Sequence, residues 1–330
     1  MESLSAKKSK RMLVDFTNPN PKCPREIFLD LNNNCNCKCF FCGNTKIAGY
    51  AYLDKALAFR VMKEFYDMGT REIALYATGE PFLRNDLAEF VSKAKKIGYE
   101  YVFITSNGIL ATPERAKAVL DAGLDSIKFS VNAGTRESYK KVHGVDQFEA
   151  VVRNIKWFHE YRKESGLRYK IYASMVPTHI TKDEGKALAG AIGAFVDELD
   201  YRGCSNQGGN MIENNMTEQI DAKNLLGSLR KGQFTGKCPD IFSRCVVTPE
   251  GYLSACCVDY QNYLVTADLN TTSAKDAWNN EVYVALRKRH ISGDLETLIC
   301  YNCINNQSGE TVPLTKRHAK PFTKKGRIPA

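Results

Sequence analysis

A chain of 330 residues, 43% hydrophobic and 25% charged, is long enough for one large core with an appended module and has the composition of an ordinary globular protein. No apolar run approaches the ~18 residues of a membrane span, and residues 1–12 lack the apolar stretch of a secretory signal, so a cytoplasmic protein with no membrane partner is expected. Much of the net charge of +9 falls in residues 7–11 and 316–327, which read as solvated ends: a basic N-terminal extension (1–25) and a basic C-terminal tail (311–330). These basic blocks suit weak attraction to an acidic partner such as a nucleotide sugar; no nucleic-acid module accompanies them, so nucleic acid is not expected.

From residue 26 short apolar runs alternate with amphipathic stretches. Residues 26–31 (EIFLDL) read as a strand and 53–68 as a helix, with Leu57, Val61 and Phe65 on one face. Strands follow at 72–77 (EIALYA), 101–105 (YVFIT), 126–131 (SIKFSV), 169–176 and 198–202. Helices are expected at 86–97, 113–122, 148–163 and 182–196. Continuous apolar strands alternating with helices predict an α/β fold with a parallel sheet. Six units do not complete an eight-fold barrel, so the expectation is a partial (β/α)6 TIM-like barrel over 26–203. A polar linker or active-site loop, rich in Gly and Asn, is expected at 204–234. A cysteine-rich module follows at 235–310, with a hairpin turning at Pro249-Glu250-Gly251 and one helix at 276–290.

Twelve cysteines, clustered, favour metal binding in a cytosolic chain. Cys35-x3-Cys39-x2-Cys42 supplies three thiolates from the loop after the first strand. Zinc at a structural site takes four ligands, and an ordinary four-iron cluster takes four thiolates. Three close thiolates suggest a cluster with one iron open. Cys37, between them, is either a spare thiol or an alternative ligand. Cys238-x12-Gly251-x4-Cys256 and Cys300-x2-Cys303 form a second set whose spacing alone suits zinc equally well.

The first motif, with Phe41 before its last cysteine, resembles that of the radical S-adenosylmethionine (radical SAM) enzymes. The resemblance covers roughly residues 26–202. It implies that Cys35, Cys39 and Cys42 hold a [4Fe-4S] cluster whose open iron binds S-adenosylmethionine, giving a 5′-deoxyadenosyl radical. Thr78-Gly79-Glu80-Pro81 stands where the family has its GGE-type motif, with Thr78 in place of the first Gly. Phe41, Gly79, Glu80, Ser106, Asn107, Ser130, Asn132 and Ser174 are the implied cofactor contacts. The second cysteine set, with Ala277-Trp278-Asn279, resembles the SPASM and twitch auxiliary-cluster modules. No cysteine follows Cys303, so one auxiliary [4Fe-4S] cluster is implied. Its ligands would be Cys238, Cys256, Cys300 and Cys303, with Cys245 or Cys257 as substitutes.

Such an enzyme is expected to abstract hydrogen from a small polar substrate, in a dehydrogenation or epimerisation of a sugar, aminocyclitol or nucleotide sugar. Flavodoxin or ferredoxin would supply the electron, and the auxiliary cluster would serve as conduit or acceptor. Glu80, Tyr172, His179 and Arg202 are candidate bases, with Arg202 placed in the catalytic set; Cys204, or Cys37, is the candidate hydrogen donor. A peptide or protein maturase is the alternative, against which stands the mere 25 residues or so before the first strand. A zinc-stabilised binding protein is the alternative of another class.

Overall fold

The structure, a computed structural model, describes residues 4–11, 13–211, 238–320 and 322. Most of the expected 204–234 loop and the far end of the expected basic tail lie outside the described residues. Strands β1 (Glu26–Leu29), β2 (Glu72–Ala74), β3 (Tyr101–Ser106), β4 (Ser126–Ser130), β5 (Lys170–Met175) and β6 (Glu198–Tyr201) pair in parallel and in chain order. Helix α1 (Leu4–Arg11) precedes them; α2 (Lys55–Met68), α3 (Leu87–Ile97), α4 (Pro113–Asp121), α5 (Arg136–His143), α6 (Phe148–Ser165) and α7 (Gly185–Ile192) lie in the crossovers.

Alternation along each strand sets two surfaces. Val102, Ile104, Ile127, Phe129, Ile171 and Ala173 join the main core with the apolar faces of the helices. Tyr101, Phe103, Ser126, Lys128, Ser130, Tyr172 and Ser174 face the hollow of the partial barrel. Helix α2 shows why the crossovers hold. Asp54 caps it, its carboxylate accepting from the Leu57 amide at 2.8 Å. Leu57, Ala58, Val61, Met62 and Phe65 then bury one face, each large side chain contributing about 1.5–3 kcal/mol. Gly69 ends the helix at φ +122°, a value that needs glycine.

The C-terminal region continues the same sheet. After the single turn α8 (Asp240–Ser243), β7 (Arg244–Val247) pairs in parallel with β1, from Glu26↔Arg244 to Leu29↔Val247. The hairpin strand β8 (Tyr252–Ser254) and β9 (Val265–Asp268) extend it antiparallel. The helix expected at 276–290 is two: α9 (Ala274–Trp278) and α10 (Glu281–Ser292). Asn280 divides them because its side chain caps α10, accepting from the Tyr283 amide at 2.8 Å. α11 (Ile299–Asn305) carries the last two cysteines.

The basic ends are not simply solvated. Lys7 on α1 is buried, its ammonium 3.1 Å from the centre of the Tyr101 ring, and the Leu4 amide donates to Glu198 at 3.0 Å. The extension also straps the C-terminal helices, since the Trp278 indole donates to the Pro21 carbonyl at 2.8 Å and Arg287 to that of Pro19 at 3.1 Å. Residues 311–320 run beside β9, where the Leu314 amide donates to Tyr263 and the Lys320 amide to Gln261, both at 2.8 Å. The helix expected at 182–196 is shortened to α7, and α5, β9 and α11 were not anticipated.

Candidate active site

The loop after β1 carries Cys35, Cys37, Cys39 and Cys42 to the C-terminal ends of the parallel strands, where all four line one cavity of about 400 Å3. Cys35, Cys39 and Cys42 are half-buried, while Cys37 is buried between Cys35 and Cys39. Hydrogen bonding to those two sulfurs, with burial, pushes the Cys37 thiol up, so it keeps its proton. The loop is held by named contacts. The Gly43 amide donates to Gln207 Oε1 at 2.7 Å, and Gln207 Nε2 donates to the Phe41 carbonyl at 2.9 Å. His143 Nδ1 lies 3.2 Å from Cys39 Sγ, with Nε2 donating to the Val131 carbonyl at 2.8 Å. The Tyr260 hydroxyl lies 3.6 Å from Cys42 Sγ.

Gly79 is fixed by packing. A Cβ there would stand 2.1 Å from the Asn32 carbonyl oxygen and 2.6 Å from that of Asn34. The Glu80 amide donates to the Asn34 carbonyl at 2.7 Å, joining this loop to the entrance of the cysteine loop. The Glu80 carboxylate is turned partly inward. It accepts from Ser106 Oγ and the Asn107 amide, each at 2.8 Å, and from the Phe82 amide at 3.1 Å. Burial nevertheless pushes it up to about 7. Glu80, Ser106 and Asn107 thus form one braced unit, with Asn107 Nδ2 reaching Cys35 Sγ at 3.8 Å and Asn36 Oδ1 at 2.7 Å.

Ser130 and Ser174 stand opposite each other in register on β4 and β5, both on the cavity wall with Phe41 and Asn132. Asn132 is held at φ +58°, its Oδ1 accepting from the Val176 amide at 3.0 Å. Among the candidate bases, Tyr172 and Arg202 line the cavity and His179 does not; His179 lies against the Phe40 ring. Burial pushes Tyr172 up to about 12. Arg202 donates from Nε to Asp200, and a paired guanidinium has donors but no acceptor, so its placement suits holding negative charge rather than taking a proton. Cys204 is buried, its thiol donating to the Ser205 carbonyl at 3.8 Å, and it is not on the cavity wall.

The second cysteine set is brought together from the turn before α8, the end of β8 and α11. The Cys238 thiol is pushed up by burial and by the Asp240 carboxylate, with Cys300 and Cys303 close enough to add to it; the Cys256 thiol is pushed up by its hydrogen bond with Cys257 and by burial, with Cys238 and Cys300 near it. Cys245 stands apart, facing the apolar core from β7. Cys257 lines the cavity with Arg244, and its thiol is hydrogen-bonded to that of Cys256. Among the described residues no group of three or more His, Cys, Asp or Glu side chains closes around a single metal ion. Cys238, Cys256, Cys300 and Cys303 offer an all-thiol donor set, which fits iron–sulfur chemistry.

Lys128, Gln207, Arg244, Tyr260 and His143 were missed as wall residues. The signal for Lys128 was available: in Ser126-Ile127-Lys128-Phe129-Ser130 polar and apolar residues alternate strictly, as a strand with a polar inner face requires.

A family model of the radical SAM superfamily matches residues 30–189, and one of an iron–sulfur cluster-binding domain (SPASM) matches 238–304. A probable GTP 3′,8-cyclase of Saccharolobus solfataricus is 39% identical over 135 residues, 40% of this chain and 42% of that protein. One of Metallosphaera sedula is 35% identical over 136 residues, 40% of this chain and 41% of the relative. The chain thus spans less than half the length of these curated relatives. Among solved structures, BtrN in complex with AdoMet and 2-DOIA superposes with TM-score 0.58 at 20% identity, covering 92% of this chain and all of BtrN. SuiB of Streptococcus suis, bound to its precursor peptide SuiA, gives 0.67 at 13% identity over 87% of this chain and 73% of SuiB. These two share the fold. The two family matches meet in one continuous sheet, each containing one of the cysteine sets, and the chain belongs to the radical SAM superfamily: an enzyme whose cofactors are [4Fe-4S] clusters and S-adenosylmethionine.

Proposed function

We propose that this enzyme abstracts hydrogen from a small polar substrate held inside the partial barrel, in a dehydrogenation or epimerisation of a sugar-type molecule. The observation that carries the reading is one shared cavity. The cysteine loop, the Gly79-Glu80 and Ser106-Asn107 loops and the inner faces of β3–β5 all line it, and its volume of about 400 Å3 is that of a small-molecule site. In this reading Cys35, Cys39 and Cys42 hold the cluster that binds S-adenosylmethionine, and Cys238, Cys256, Cys300 and Cys303 hold the auxiliary cluster. When bound, the first cluster and S-adenosylmethionine supply a 5′-deoxyadenosyl radical. The chain's own residues position and shield. Gly79 lets the motif loop lie flat against Asn32 and Asn34, Glu80 ties that loop to Ser106 and Asn107, and Gln207 latches the cysteine loop down. Ser130 and Ser174 offer hydroxyls to the polar parts of the bound molecules. A flavodoxin or ferredoxin is the proposed electron donor.

Anaerobic reconstitution tests this. The wild type should hold about eight irons per chain and the Cys35/Cys39/Cys42→Ala variant about four, as two four-iron clusters require. Given dithionite and S-adenosylmethionine, only the wild type should release 5′-deoxyadenosine. A Cys245→Val variant should keep its iron, because that thiol faces the core. Zinc without iron, and no 5′-deoxyadenosine, would refute the assignment.

A further inference from the structure

The barrel beneath the motif loops is lined with positive charge. Lys7 from α1, Lys128 on β4, Arg202 after β6 and Arg244 on β7 all line the cavity, and Glu80 is the single carboxylate among its described lining residues. Glu80 belongs to the loops at the strand ends, where three donors already engage it. The carboxylates beside the two guanidiniums, Asp200 at Arg202 and Asp240 and Glu26 at Arg244, do not line the cavity; they steady the cations from outside it. Thr105, Lys128 and Tyr172 sit side by side in register, one inward-facing step below Ser130 and Ser174. Phe28, Tyr76 and Phe103 form an edge-to-face cluster of rings on the same wall. Apolar walls lower the local dielectric and concentrate the field of such charges on whatever enters.

We infer that this cavity takes a substrate bearing an anionic group, a phosphate or a carboxylate, held low in the barrel by Lys128, Arg202 and Arg244 while the rest of the molecule extends toward the cysteine loop. The orientation toward that loop rests on the proposed function; the anion site itself does not. A phosphosugar, nucleotide sugar or uronic acid fits such a lining, and the ammonium groups of an aminocyclitol meet like charge.

The test uses the full-length, anaerobically reconstituted protein with S-adenosylmethionine and four probes sharing a six-membered sugar ring: glucose 6-phosphate, glucuronate, glucose and glucosamine. Calorimetry should find at least one anion bound about tenfold or more tightly than glucose, weakening with added salt. Glucosamine should bind no better than glucose. Preference for glucose 6-phosphate identifies a phosphate site and preference for glucuronate a carboxylate site. Lys128→Met should remove most of the anion preference, and Lys128→Arg should restore it. Arg202→Gln provides a second variant, with iron content and circular dichroism checking that each one folds. Glucose or glucosamine binding as well as both anions would overturn the inference. So would the absence of saturable anion binding at millimolar concentration, or an unchanged preference in both Lys128→Met and Arg202→Gln. The same samples are assayed for iron and 5′-deoxyadenosine. Anion binding without either sinks the proposed function alone; both present without anion binding sinks only the anion site.

Discussion

Adding one methyl group at Gly79 and at Gly190 should have opposite effects. At Gly79 the new Cβ would sit 2.1 Å from the Asn32 carbonyl oxygen, against the 3.4 Å at which ordinary contact begins, so backbone must move by well over an ångström. No flexible side chain can yield, because the nearest atoms are all backbone. A movement of that size breaks the 2.7 Å bond from the Glu80 amide to Asn34 and the 3.0 Å bond from Asn32 Nδ2 to the Glu80 carbonyl. Two buried bonds lost, at about 1–3 kcal/mol each, predict a destabilisation of about 2–6 kcal/mol. The displaced segment leads directly into Cys35, so the iron bound by the cysteine loop should fall as well. At Gly190, inside α7, nothing lies within 4 Å of the added atom. There Ala should stabilise by about 0.4–1 kcal/mol through the unfolded chain. Urea midpoints and iron per chain after anaerobic reconstitution measure both. Gly79→Ala with an unchanged midpoint and full iron would refute the steric argument.

Asp30 is buried and accepts from the Thr78 hydroxyl and amide, yet burial, the larger effect, pushes it up to about 7. A carboxyl raised in the folded state stabilises most below its unfolded value near 4 and loses that contribution as pH rises from there through 7, here up to about 4 kcal/mol; Asp30→Asn should therefore gain on the wild type between about pH 4 and 7 in chemical denaturation and keep that gain above it, and a constant difference across that range would refute this. Arg287 is fully buried and donates to Ile241, Trp278, Pro19 and the Asn279 side chain, lying over the Trp278 and Tyr283 rings. Arg287→Lys cannot reproduce that planar fork and should cost about 3 kcal/mol or more, read as a lowered thermal midpoint; a midpoint matching the wild type would show the four bonds to be dispensable.

The six parallel strands were legible because strands buried on both faces stand out as apolar runs, and the cysteine loop and Gly79-Glu80 because they follow those runs. The break at Asn280 was overridden by the spacing of Trp278, Val282 and Leu286, although a pair of asparagines is itself a capping signal. Residues 7–11 read as a solvated tail because charge alone does not reveal that Lys7 lies over the Tyr101 ring in the barrel. Sorting Cys245 from Cys256 and Cys257 was beyond the sequence, since it depends on which face of β7 meets the helices. His143 and Gln207 come from segments far from the cysteines they approach, and only the fold brings them there.

The pairing of β7 with β1 gives the chain a fixed order of completion. β1 is an interior strand, flanked by β2 on one side and by residues 244–247 on the other. A ribosome that has released residues 26–203 has made all six strands of the barrel and still left one side of β1 bare, with its amides and carbonyls open to any passing strand. The seam closes only when β7 arrives, and bonds just outside the strands, from the Arg25 amide to Ser243 and from the Asp30 amide to Val247, fasten both ends of it. Tyr260, beside Cys42, emerges later still. The surroundings of the first cysteine set are therefore finished by the last quarter of the polypeptide, and a nascent chain lacking that quarter offers an adhesive edge where the mature enzyme has a sealed wall.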